Sequence, residues 1–175
     1  MGRSPGSEES MMKRSNDHSF VSLDARFRVV LTAAVVERII SECVDARSNE
    51  TGGILAGTYS PDKRSAVITH MSGPPRDSRR GRSWLVRGVV GLKEWLLELW
   101  SRKVAYYIGE WHFHPDNDPT PSPDDVAQLQ AIALSPQYRC PEPVLVILGG
   151  DLRGKWKLSV SVFERNGHYS LSEES

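Results

Sequence analysis

Hydrophobic positions along the chain change period several times, and each change marks an element. Phe27, Val29 and Leu31 alternate with Arg26, Arg28 and Val30, the period-2 signature of a half-buried strand. Thr32 then stands where a helix cap is expected, before an apolar stripe of Val36, Ile39, Ile40 and Cys43 at helical spacing. That spacing places Cys43 in the core rather than as a reactive thiol. The runs Gly52 to Gly57 and Ser65 to Met71, separated by a Ser60-Pro-Asp62 turn, predict two antiparallel strands. Between Gly73 and Ser83 the pattern breaks into Gly, Pro, Arg and Ser, which predicts an exposed, mobile loop.

Val89, Leu92, Leu96, Leu99 and Trp100 define a second amphipathic helix, with Glu98 and Arg102 spaced as an ion pair on its wet face. Val104 to Trp111 reads as a strand buried on both sides, and it runs straight into His112-Phe-His114. A loop carrying Pro115, Pro119, Pro121 and Pro123 follows, and Ser122 opens a third helix with Val126, Leu129 and Ala133 inward. Val144 to Leu148 and Trp156 to Val162 supply two later strands. The predicted fold is a mixed β-sheet flanked by helices, an α/β or α+β three-layer domain.

A chain of 175 residues, 39% hydrophobic and 25% charged, is long enough for one real core and short for two. Residues 1 to about 18 are rich in Gly, Ser, Pro and charge and read as a disordered N-terminal tail. The stretch 166–175 reads as a C-terminal tail, leaving one domain over 19–165. The N-terminus has no apolar targeting region and no window approaches 18 consecutive apolar residues, so neither export nor a membrane partner is expected. Two cysteines, Cys43 and Cys140, without a CxxC pair, fit a reducing, cytoplasmic location. Lys plus Arg and Asp plus Glu are both 22, which removes the usual argument for a nucleic-acid partner. The charges are nevertheless segregated. Residues 76–93 hold six basic residues and one acid, Asp77, whereas residues 110–125 hold five acids and no Lys or Arg.

The acidic stretch carries the chemistry. On a strand, residues two apart share a face, so His112 and His114 can aim two imidazoles at one point while Phe113 turns inward. Neutral imidazoles suit zinc, iron, copper or nickel, and a carboxylate would complete a tetrahedral zinc site with one open position. Asp125, one turn into the helix opened by Ser122, is placed to supply it. Taken alone, Ser122-Pro-Asp-Asp125 is an ordinary capped helix start, and two histidines at a strand end are often only solvated. The joint pattern HxHx7SxxD is expected by chance in roughly one sequence in a thousand of this length. Glu110, two residues before His112, offers a rival iron-type triad with His112 and His114. Asp118 offers a cupin-like reading, but a cupin barrel needs many short strands and three helices are evident here.

With Glu50 leading into Thr-Gly-Gly-Ile-Leu-Ala-Gly57, this pattern resembles the JAMM motif of the JAB/MPN/Mov34 metalloprotease family, over about Phe27 to Asp151. The resemblance implies a cytidine-deaminase-like α/β fold and zinc-dependent cleavage of peptide or isopeptide bonds after the C-terminus of ubiquitin or ubiquitin-like modifiers. It implies that His112, His114 and Asp125 hold one Zn2+ per chain, that Glu50 is the general acid/base, and that Ser122 steadies the oxyanion. The stretch Tyr107-Ile-Gly-Glu-Trp-His-Phe-His-Pro115 is most similar to bacterial JAB deconjugases of anti-phage CBASS operons. These are deubiquitinase-like enzymes that release partners joined to the C-terminus of a cGAS-like nucleotidyltransferase by E1/E2-like ligation. Other bacterial branches process sulfur-carrier or ubiquitin-like proteins with the same catalytic residues, and some relatives are silent binding scaffolds, which typically lose motif residues that this chain keeps. In this family the insertion after the third strand lies beside the substrate's extended tail. That nominates Arg76, Arg80, Ser83 and Trp84 for substrate binding, with residues 137–142, including Cys140, as a second rim.

Overall fold

A computed structural model of the protein describes residues 16–102 and 104–174. The strands are β1 (His18–Ser22), β2 (Arg28–Leu31), β3 (Thr51–Tyr59), β4 (Ser65–Met71), β5 (Arg79–Arg80), β6 (Leu85–Val86), β7 (Tyr106–Pro115), β8 (Val144–Asp151), β9 (Lys155–Glu164) and β10 (Gly167–Glu173). The helices are α1 (Ala33–Ala46), α2 (Leu92–Ser101) and α3 (Pro123–Leu134). No helix among the described residues is long and apolar enough to cross a membrane.

The mixed sheet runs β1-β10-β9-β8-β7-β3-β4-β2 and closes, because β1 pairs antiparallel with both β10 and β2. The β2–β4 and β7–β8 pairs are parallel and the rest are antiparallel. The helices fall on two sides of it. Val35, Val36, Ile39, Cys43 and Ala46 of α1 share one cluster with Val29, Leu31, Ile68, Trp111, Phe113, Val146 and Val160, so the curled sheet wraps α1. Alternate positions of β8 point the other way: Leu145 and Ile147 meet Leu129 and Ile132 of α3. Leu99 of α2 packs on Ala56 and Ala105 on that side too. The predicted layering and the core position of Cys43 are therefore present, as is the Glu98–Arg102 pair at 2.7 Å.

Four expectations need correction. The stretch 166–175 is not a tail, because Gly167–Glu173 forms β10, with Leu171 buried and main-chain partners on β9 and β1. Its other side chains are half-buried or exposed, so the local pattern is polar and only long-range pairing makes it a strand. β1 was likewise unforeseen and begins at His18, inside the stretch expected as a tail; residues 1–15 of that stretch lie outside the described residues. The 73–83 segment is not wholly irregular, since Arg79–Arg80 pairs with Leu85–Val86 in a two-stranded hairpin. Val89 and Trp100, assigned to the buried stripe of the second helix, are 67% and 58% exposed: Val89 precedes α2, and Leu99 takes the inward position beside Trp100.

One irregularity sets the phase of the central strand. Leu55 of β3 pairs with Gly109 and the next residue, Ala56, pairs with Tyr107, leaving Ile108 as an extra residue on β7. A bulge of this kind reverses which side later side chains face. Tyr107 packs with the α3 cluster and Ile108 with the α1 cluster. After the bulge Trp111 and Phe113 face α1, which leaves Glu110, His112 and His114 on the α3 side.

Removing residues 166–175 should reopen the sheet at β1 and β9. Loss of Leu171 burial alone, about 2 kcal/mol, together with the lost pairing, should lower the melting temperature by ~5 °C or more. A truncated protein that melts with the full chain in a thermal scan would contradict this role for β10.

Candidate metal centre

Three donors converge where β7 ends and α3 begins. One ligand atom from each of His112, His114 and Asp125 lies within 4.8 Å of the others. His112 Nδ1 is 2.7 Å from Asp125 Oδ1, and His114 Nε2 is 3.7 Å from Asp125 Oδ2. Asp125 is brought there by helix capping. The Ser122 main-chain N–H donates to Asp125 Oδ2 at 2.7 Å, and the Asp125 N–H donates to Ser122 Oγ at 3.1 Å. Ser122 Oγ also donates to Asp125 Oδ2 at 2.8 Å. One carboxylate thus closes a capping box and faces two imidazoles.

Two imidazoles and one carboxylate, all buried or nearly so, fit the donor set of a zinc site with an open position. Without a cation, the histidines and the acid titrate against one another. Burial alone would push His112 down, but the Asp125 carboxylate at 2.7 Å, with that of Glu110 behind the ring, holds it up at about 9. Burial would push Asp125 up, but His112 holds it down at about 2. Burial lowers His114.

Glu50 immediately precedes β3, whose Thr51 pairs with Phe113, so it lies at the His114 end of β7. Its own N–H donates to Gly81 O of the 79–86 hairpin at 2.8 Å. Partial burial raises its carboxyl pKa, Asp125 raises it further, and His112 lowers it. Its carboxylate feels both groups and is not one of the converging donors. Gly52 keeps the hairpin and the site close together. A Cβ there would fall 2.9 Å from His112 Cδ2, 2.9 Å from Leu85 Cδ2 and 2.5 Å from Trp111 O.

Of the four residues nominated for substrate binding, Arg80 reaches the site's edge, donating to Thr51 Oγ1 at 3.0 Å. Trp84 and Ser83 are exposed on the same hairpin. Arg76 instead lines a separate cleft with Ala34, His70, Gly91 and Trp95, because the chain reaches the hairpin only after Asp77 has bonded to the Val89 and Val90 N–H groups. Cys140 is buried against Tyr59 Oη and Ile108 O, and stands outside the donor cluster. The rival triad through Glu110 does not form, because that carboxylate is fully buried and committed elsewhere. It takes Arg87 Nη2 at 2.6 Å, Arg87 Nε at 3.2 Å and Gln128 Nε2 at 2.8 Å. Arg87 and Gln128 carried no signal in the sequence, since each is distant from Glu110 along the chain and neither belongs to a motif.

A His-X-His pair on a central strand, closed by an aspartate from the first turn of the next helix, defines a metallopeptidase of the JAB class. The chain belongs to the family of prokaryotic homologs of the JAB domain, whose model matches residues 32–159. It is 45% identical over 149 residues to a CD-NTase/cGAS isopeptidase of Enterobacter hormaechei, covering 85% of this chain and 82% of that protein. A probable metalloprotease of Sinorhizobium fredii is 33% identical over 124 residues, covering 67% of this chain and 73% of the relative. The solution structure of a Desulfitobacterium hafniense protein, DSY2949, shares the fold at a TM-score of 0.54 and 18% identity, over 83% of this chain and 88% of that one.

The coupling of His112 to Asp125 predicts a pH dependence for protein freed of metal by a chelator. The folded value of about 9 lies above the ordinary 6.5, so this histidine stabilises the fold fully below pH 6.5 and ceases to do so as pH rises through about 9. The melting temperature of the metal-free protein should exceed that of metal-free His112→Asn at pH 6, with the gap narrowing by pH 9.5. A gap that widens with pH would reverse the assignment.

Proposed function

We propose that the protein is a zinc-dependent isopeptidase that cleaves the bond after the C-terminal residue of a conjugated cGAS-like nucleotidyltransferase, opposing E1/E2-like ligation in the bacterial cytoplasm. The observation that carries this reading is the convergence of His112, His114 and Asp125 beside Glu50, in a chain 45% identical to a CD-NTase/cGAS isopeptidase. A ubiquitin-like modifier is the competing substrate.

His112, His114 and Asp125 would hold the zinc, whose Lewis acidity polarises a scissile carbonyl and brings the pKa of water to about 7. Glu50 would take the proton of the attacking water on its carboxylate and deliver it to the departing amine. Burial and Asp125 raise its pKa above the ordinary carboxylate range, which favours that exchange. The Ser122 hydroxyl, now donating to Asp125, would turn its proton toward the developing oxyanion, a contribution of about 100-fold or more in turnover. The hairpin carrying Arg80, Ser83 and Trp84 would hold the substrate's extended tail through a strand edge, with Arg76 engaging parts farther from the scissile bond.

Two measurements test this reading. Purified protein should contain about one zinc per chain by elemental analysis, and His112→Ala should contain almost none; wild-type protein carrying iron or no metal would count against it. Glu50→Gln should keep its zinc and its melting temperature yet lose about 100- to 10,000-fold in release of the acceptor from a nucleotidyltransferase conjugated through its C-terminal carboxyl. Full activity in that variant would remove Glu50 from the mechanism. Cleavage of a ubiquitin-like conjugate alone would move the substrate to the other branch.

A further inference from the structure

Glu110 has no role in the scheme above, yet its carboxylate is fully buried. Burying an ion pair costs several kcal/mol of desolvation for each ion, and apolar residues of similar volume often serve stability as well or better. A buried pair beside a metal set therefore asks for a reason other than stability. The contacts of His112 supply one. Its Nδ1 faces Asp125 at 2.7 Å, and its Nε2, on the far side of the ring, lies 3.6 Å from Glu110 Oε2. Asp125 is also held in place, by the Ser122 N–H and hydroxyl.

We propose that Glu110 is a positioning residue for the metal centre: anchored by Arg87 and Gln128, it holds the His112 ring from behind and keeps the imidazole proton on Nε2, leaving the Nδ1 lone pair for the metal. A neutral imidazole carries one N–H, and a carboxylate behind one nitrogen decides which one bears it. Groups behind a ligating histidine usually work this way. Arg87 grips both oxygens of the carboxylate, and its Nη1 donates to Gly88 O at 2.9 Å, so the orienting group is fixed on two sides. Arg87 follows β6 directly, which ties the hairpin proposed as the substrate rim to the orientation of a ligand.

The inference rests on the metal assignment made above, so the test separates the two. Zinc affinity is measured by competition with a chromophoric chelator, and the visible bands are recorded after Co2+ substitution, for wild type, Glu110→Gln and the double variant Arg87→Met/Glu110→Leu. The double variant removes the ion pair as a unit and guards against a single variant that fails to fold through an unpaired Arg87. Both variants should bind zinc about 10- to 100-fold more weakly than wild type and show displaced Co2+ bands. Unchanged affinity and bands in both would overturn the proposal. Weak binding in Glu110→Gln with full recovery in the double variant would also overturn it, because the loss would then belong to the stranded guanidinium. Wild type that binds neither metal would remove the metal assignment itself, and this proposal with it.

Discussion

The molecule is organised around a row of polar side chains on an otherwise apolar strand. β7 lies between β3 and β8 in the closed sheet, and its residues Glu110 and His112 are almost without solvent. Polar groups removed from water cost several kcal/mol each unless something satisfies them. Each neighbouring element meets part of that demand. The hairpin side contributes Arg87, α3 contributes Gln128 and Asp125, and the cap of α3 contributes Ser122. The opposite face of β7, through Trp111 and Phe113, has the ordinary task of filling the core around α1. One strand thus carries the packing on one side and the chemistry on the other, and the rigidity of the first fixes the geometry of the second.

That arrangement gives the neutral net charge a physical meaning. The basic stretch 76–93 and the acidic stretch 110–125 meet inside the protein, at Arg87 and Glu110. Because that pair is buried, it is screened far less by salt than the exposed arginines of the hairpin. Of the other basic residues, Arg79, Arg80 and Arg82 stay exposed on the hairpin, whose Gly81 accepts from the Glu50 N–H. Hairpin and metal centre are close-packed as well as charge-paired, since nothing larger than glycine fits at Gly52 between Leu85 and the His112 ring.

Ser122 and Asp125 show how one local feature serves two ends. The capping box they form is a common way to start a helix and would occur with no site nearby. Its acid is also the carboxylate that reaches His112, so the energy that starts α3 orients one member of the candidate donor set. This is why the segment was ambiguous by itself and informative only beside His112-x-His114. Glu110 is the reverse case. Its spacing offered it as a rival ligand, and the fold commits it to Arg87 and Gln128 instead.

The sequence by itself determined the donors and the order of the central elements. Strand alternation places His112 and His114 on one face, helix capping places Asp125 one turn from Ser122, and both rules act over a few residues. The cores of α1, β3, β4 and β8 were legible for the same reason: their apolar periods are local and strong, whereas in α3 Ile132 rather than Ala133 joins Leu129 in the core. Tertiary structure decided what depends on partners far away in the chain. β10 shows mainly polar residues around Leu171 and becomes a strand only between β9 and β1, which also closes the sheet. The extra residue Ile108, visible only against β3, sets which side of β7 the histidines face. The partners of Glu110 lie 18 and 23 residues away and are joined to it by burial, which no local pattern encodes.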